Sequence, residues 1–271
     1  MQPSYVELTY WQVGLAALLI VVNGAISVTL RLGMERSLVM GSVRMTLQLL
    51  LIGLVLEWVF RIERWYAVVG LLAIMTLIAG ITAVDRNTRR YRGIWLDTVV
   101  SVWASSWVVS AYGVFVVMRD IDTWYHPQYA IPLMGMVLGN TLNGISVGQT
   151  TFTESLVTRR AEVDTLLALG ATRWEAGQTA MRHALRTGMT PIINAMMVAG
   201  IVSLPGMMTG QLLAGVQPIQ AVKYQIVIMF LIAAATALGT ASIVLLGFRR
   251  LFTADHQFLQ ANLQTSRRRF G

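Results

Sequence analysis

Apolar residues fall along this chain in long blocks separated by short charged ones. Runs free of any charged side chain occupy Leu8 to Leu30, Trp65 to Val84, Thr98 to Met118, Thr123 to Thr153, Thr187 to Val222 and Tyr224 to Phe248. Each approaches or exceeds the ~20 residues a helix needs to cross the hydrocarbon layer. A shorter run, Met45 to Leu56, reaches that length once Trp58 to Phe60 and the turn around Arg44 are included. Backbone in lipid must satisfy its own hydrogen bonds, and the alternation a closed barrel requires is absent, so these runs predict helices and almost no sheet. The expected fold is an all-α polytopic integral membrane protein, one domain over 1–271, with about seven spans near 8–30, 40–60, 65–84, 98–118, 128–153, 189–205 and 222–248. No Lys or Arg precedes the first run, Glu7 does, and no small-x-small cleavage site follows before Arg31, which predicts a retained span.

One block breaks the pattern. Thr187 to Val222 is 36 residues long, with Pro205 and Gly206 near its centre and Met207, Met208 and Gln211 following. Proline cannot donate a backbone hydrogen bond and glycine tolerates unusual dihedrals, so a helix beginning near Pro191 is expected to stop or kink at Leu204. Met207 to Gln217 then forms a short outer helix or a re-entrant turn before Pro218. Irregular backbone at that depth survives only where protein buries it or water reaches it. The turn is therefore either an outer gate or a tight external loop packed by methionines.

Between Glu154 and Gly188 the apolar runs disappear, but a helical period remains in Leu156, Val163, Leu166, Leu167 and Leu169. This predicts a cytoplasmic helical segment over 154–188. Gly170 suits the left-handed residue that ends a helix, and Thr172 with Glu175 has the Thr-x-x-Glu spacing of a capping box. Two helices are expected to meet at Gly170 and Ala171, leaving Leu169 and Trp174 for a partner surface to cover.

Composition agrees with the pattern: charged residues are 13% and hydrophobic ones 55% of the chain, with a mean hydropathy of +0.61. Charge then supplies orientation. With seven spans, 17 Lys and Arg lie on one side and four (Arg61, Arg64, Arg119 and Lys223) on the other. The positive-inside rule places the N-terminus outside and the C-terminus, with its basic tail 249–271, in the cytoplasm. Topology thus accounts for a sequence pI near 10.4, and a nucleic-acid partner is not expected. Arg86 to Arg92 and the tail read as lipid-headgroup anchors. The absence of cysteine excludes disulfides, zinc-thiolate sites and thiol catalysis.

Little in the chain suggests its own energy source. A nucleotide-binding loop needs Gly-x-x-x-x-Gly-Lys with Ser or Thr next, and the single lysine, Lys223, is followed by Tyr224. Carboxylates and histidines lie in loops or at span ends, which disfavours a proton-coupled carrier. No enzyme activity is expected, no cofactor in this chain, and no tight metal site. Met136, Asn140 and Asn143 recur at i, i+4 and i+7 on the fifth span, so one thioether and two amides share a stripe. The stripe can pair with a neighbouring helix or line a hydrated path. Asn194 with Met197, and Asn23 with Ser27, repeat the pattern. Gly135-x-x-x-Gly139 and Gly144-x-x-x-Gly148 permit close helix packing.

Two resemblances add to this reading. An acid followed by Gly-Ala-Thr-Arg-Trp, that is Asp164 and then Gly170, Ala171, Thr172, Arg173 and Trp174, resembles the loop through which ABC transporter permeases dock onto their ATPase. The acid is Asp where the family has Glu, and the Leu-Pro that closes the motif is missing, the next proline being Pro191. The blocks at 140–148 ("NTLNGISVG"), 184–215 and 222–230 ("VKYQIVIMF") resemble the iron-export ABC permease family, which includes plant aluminium-tolerance permeases. The resemblance implies a multi-pass permease of the cell inner membrane, paired with itself and with a cytoplasmic ATPase that carries ATP and Mg. Its cargo would be a metal ion such as iron. A nucleotide sugar or other organic solute is the alternative within the class, and a gradient-driven carrier or channel the alternative outside it.

Overall fold

The computed structural model describes residues 9–62, 64–87, 89–117 and 126–265. Arg119, Arg267, Arg268 and Arg269, four of the basic residues that set the expected orientation, lie outside these. The chain is a membrane-type helical protein: α1 (Tyr10–Thr29), α2 (Glu35–Ile62), α3 (Trp65–Asp85), α4 (Ile94–Tyr112), α5 (Pro127–Thr158), α6 (Arg160–Ala168), α7 (Arg173–Val198), α8 (Gly206–Leu213) and α9 (Pro218–Leu251). Six of them, α1 to α5 and α9, are long and apolar enough to cross a membrane, with α4 continued to Val117 by a π turn. The sheet among the described residues is a two-residue antiparallel ladder, β1 (Arg89–Arg90) with β2 (Gln264–Thr265).

Local rules explain most boundaries. Pro127 and Pro218 open α5 and α9 at the first helical position, where a missing N–H costs nothing. The α1–α2 hairpin is fixed by Ser27, whose Oγ donates to Glu35 Oε2 and accepts from Met34 N, both at 3.0 Å. Ser27 is thus a hairpin residue, while Asn23 is exposed on α1. The second helix runs unbroken through Arg44, well beyond the expected 40–60.

The expectation for the long run needs correcting. No helix starts at Pro191 and none breaks at Leu204: α7 begins at the capping box, passes through Pro191 and ends at Val198. The break falls at Ala199, whose backbone is extended, and at Gly200, at φ +83°. Gly200 N donates to Ser203 O at 2.9 Å, closing the turn. Pro205 and Gly206 mark the restart instead, as N-cap and first residue of α8. Proline fits there because an N-cap needs no intrahelical N–H bond. The short helix expected from Met207 is α8, and the boundary drawn at residue 188 falls inside α7.

Glycine packing sets the relative directions of the three central helices. A methyl group on Gly144 would lie 2.5 Å from Thr236 Cγ2 and 3.2 Å from Gly188 O, and one on Gly148 would lie 2.6 Å from Thr240 Cγ2. Phe152 meets Gly247, and Phe248 lies where a methyl on Gly177 would go. Rising numbers on α5 therefore match rising numbers on α9 and falling numbers on α7. Helices α5 and α9 run parallel, with α7 antiparallel to both. Helix α4 packs antiparallel to α5 and to α9, through Ser110 with Met134 and Asp97 with Arg250. The core lies among α3, α4, α5, α7 and α9, whereas α1 and α2 touch it mainly near Val59.

A candidate coupling elbow and transport face

The elbow is built from two complete caps. Ala171 N donates to Leu166 O at 3.0 Å and Gly170 N to Leu167 O at 3.1 Å, the paired bonds that close a helix on a left-handed residue, and Gly170 has φ +89°. Next to it Thr172 N donates to Glu175 Oε2 at 2.8 Å, while Glu175 N donates to Thr172 Oγ1 at 3.3 Å. The hydrogen bonds from the Thr172 side chain and then its backbone hold the Glu175 carboxyl below the usual range. Asp164 pairs with Arg160 one turn back on exposed α6, at 3.1 Å. Leu169 is 80% exposed and Trp174 49%. Trp174 stands edge-on to Phe248, 5.6 Å between ring centres, so one side of the indole is fixed and the other is free.

Sequence reasoning missed what braces this elbow. Arg173 N donates to His256 Nδ1 at 3.0 Å, and Arg173 Nη1 to Thr253 O at 3.1 Å. Phe252 and Phe258 stack behind Phe248. Residues 252–258, just after α9, therefore clamp the elbow. Those partners lie about 80 residues from Arg173, too far for any local pattern to show.

The second feature is an open face. On α5, Met136, Asn140 and Val147 are half-buried and Asn143 is exposed, although neighbouring positions are buried. This stripe runs between the side of α5 that meets α3, through Ser146 and Ala83 O, and the side that meets α7, at Gly144 and Gly148. On α7, His183, Thr190, Asn194 and Met197 are exposed along one side. Helix α9 packs into the opposite side of the α5–α7 pair, so both stripes face away from it. Of the expected path residues, Met136, Asn140 and Asn143 thus follow one stripe of α5, and Asn194 and Met197 lie on the exposed side of α7. Asn140 Nδ2 bonds Met136 O at 2.9 Å, and Arg86 Nη1 donates to Asn143 Oδ1 at 2.6 Å. Met207, Met208 and Gln211 lie apart from it on α8, all half-buried, with Gln211 Oε1 enclosed and without a partner.

The end of the bundle near the elbow is tied by polar groups. Asn87 Nδ2 donates to Gln149 Oε1 at 3.0 Å and Thr150 Oγ1 to Asn87 Oδ1 at 3.1 Å. Buried Asp97 pairs with Arg250 at 3.3 Å, and burial, then the Asp97 carboxylate, push the adjacent Tyr91 hydroxyl up. Arg90 pairs with Asp85 at 3.0 Å. Part of the Arg86 to Arg92 cluster is thus engaged within the protein.

The sequence profile described as an uncharacterised protein family, UPF0014, matches residues 10–252, from the first turn of α1 to just past α9. The chain belongs to the UPF0014 family. It is 39% identical over 216 residues, 80% of this chain and 83% of the relative, to the UPF0014 membrane protein slr1647 of Synechocystis sp.. It is 26% identical over 261 residues to the probable iron export permease protein FetB of Escherichia coli, covering 95% of this chain and 98% of the relative. It is 32% identical over 237 residues to the UPF0014 membrane protein STAR2 of rice, covering 88% and 81%. No solved structure matches. As a UPF0014 protein with six apolar helices of spanning length, the chain is a multi-pass membrane protein. The UPF0014 match takes in the elbow, the open face and α8 alike.

Proposed function

We propose that this chain is the membrane-spanning permease subunit of an ATP-driven ABC exporter of the cell inner membrane. It works as a homodimer with a separate cytoplasmic ATPase, which binds ATP and Mg. The observation that carries the reading is the elbow: two complete caps and a distant clamp rigidify a helix junction that presents Leu169 and Trp174 to solvent. Ordering an exposed apolar tip has a cost that a partner surface offsets. Seven crossings follow if α7 is the return passage between parallel α5 and α9. The termini then lie on opposite sides, with the basic elbow end in the cytoplasm. The open face of α5 and α7 meets its counterpart on a second copy, and the amides and thioethers there line the path.

A metal ion such as iron is the cargo this reading favours, on the name of the E. coli relative. One observation favours an organic anion instead: Arg86, His183 and Arg186 are exposed toward the inner end of the bundle, on or beside that face. Reconstituting the chain with its ATPase in vesicles separates the two. Stimulation of ATP hydrolysis and export by ferrous iron, but not by a nucleotide sugar, supports the metal. The reverse pattern supports the anion, and stimulation by neither removes both.

A further inference from the structure

Under α8 the helices leave a cleft of about 490 Å³, closed on one side by the 199–205 turn. Met196 of α7, Met208 of α8 and Met229 of α9 all line it, so methionines from three separate elements border one cleft. Gln225 lines it as well: the residue is 7% exposed, and its Oε1 has no hydrogen-bond partner. A buried amide oxygen left unpaired is a cost that an apolar packing role leaves unexplained. The remaining lining is apolar, with no Asp, Glu or His.

We propose that this cleft is a binding site for a soft monovalent cation, Cu(I) or Ag(I), held by the thioethers of Met196, Met208 and Met229 with the Gln225 amide oxygen turned toward the charge. Ligand softness decides the class. Thioethers select soft ions, whereas ferrous iron and other divalent ions prefer carboxylate or imidazole donors. Neutral ligands in an apolar wall also repay the desolvation of one charge far more readily than of two. Methionine has three rotatable bonds, so the side chains can close on an ion from a cleft this wide. Met208 rides on α8, which begins and ends in turns containing the left-handed residues Gly200 and Gly215. Closure on the ion would therefore draw α8 against α7 and α9.

The site is independent of the export reading, and its test needs neither ATP nor the ATPase. The chain contains no cysteine, so no thiolate competes for the probe. Purified full-length chain in detergent is titrated with Ag(I) and, anaerobically, with Cu(I). The expected result is one ion per chain in a sulfur environment by X-ray absorption, undisturbed by excess ferrous iron. Met208→Leu with Met229→Leu, a nearly volume-conserving pair, should weaken binding at least tenfold. Met40→Leu with Met45→Leu on α2 should leave it unchanged. If the α8–α9 pair of changes fails to fold, Met196→Leu alone should still weaken binding several-fold. Absence of stoichiometric Ag(I) binding, or equal affinity in wild type and the cleft variants, overturns the proposal. Loss in the α2 control as well would assign the ion to scattered surface methionines and overturn it too.

Discussion

Gly188 of α7 lies where that helix meets both α5 and α9. A methyl group there would lie 2.6 Å from Thr240 Cγ2, 2.9 Å from Gly144 O and 3.2 Å from Gly148 Cα. Two of these neighbours are backbone and cannot rotate away. Gly188→Ala should therefore destabilise the folded chain by about 1–3 kcal/mol through overpacking, read as a lowered unfolding temperature in detergent. Thr240→Ser removes one of the three contacts and should restore part of the loss. Gly139→Ala, with nothing within 4 Å, should be silent. At the elbow the sign of pH dependence follows from Glu175, whose carboxyl is held low by Thr172. Its capping contribution is complete above the unfolded value of about 4.3 and is lost as pH falls through the lower folded value. Glu175→Gln keeps the capping geometry and should flatten that acid-side loss in thermal unfolding of the chain.

Among the elements, those set by near neighbours were legible in the sequence. The elbow was readable because both caps are local: Gly170 and the Thr172–Glu175 pair declare themselves within six residues. The apolar runs likewise located α1 to α5 and α9. The end of α7 was not readable, since Pro205 is as well suited to starting a helix as to stopping one, and the turn depends on Gly200 and Ser203. Nor was the clamp from Thr253 and His256 readable, because tertiary packing alone brings it to Arg173. Of the candidate path residues, the stripe period on α5 was visible, but only the placement of α3, α7 and α9 shows which side stays open. The elbow also supports a prediction at this scale. Gly170→Val forces a β-branched residue into a left-handed backbone, at about 1–2 kcal/mol, and tilts α6 against α7. Together with Trp174→Ala it should abolish cargo-stimulated ATP hydrolysis by the assembled transporter while membrane abundance stays normal. Hydrolysis that keeps its stimulation in both variants would remove the elbow from coupling.

As a whole molecule the chain has two ends of different character. One gathers the polar ties, the elbow and its clamp; the other carries the 199–205 turn, α8 and the methionine-lined cleft. Parallel α5 and α9, joined by antiparallel α7, hold those ends apart. The open α5–α7 face runs between them, and α1 and α2 stand at the side with most of their apolar surface uncovered. In the proposed exporter the elbow end contacts the ATPase in the cytoplasm and the α8 end faces outward. Single cysteines introduced into this cysteine-free chain test it directly, with a bifunctional thiol cross-linker in membranes that also contain the ATPase. Leu169→Cys should cross-link to the ATPase and resist an impermeant thiol reagent added from outside, and Gln217→Cys, at an exposed position before α9, should do the opposite. Cross-linking at position 217, or external labelling at position 169 without any cross-link to the ATPase, would contradict both the orientation and the coupling role.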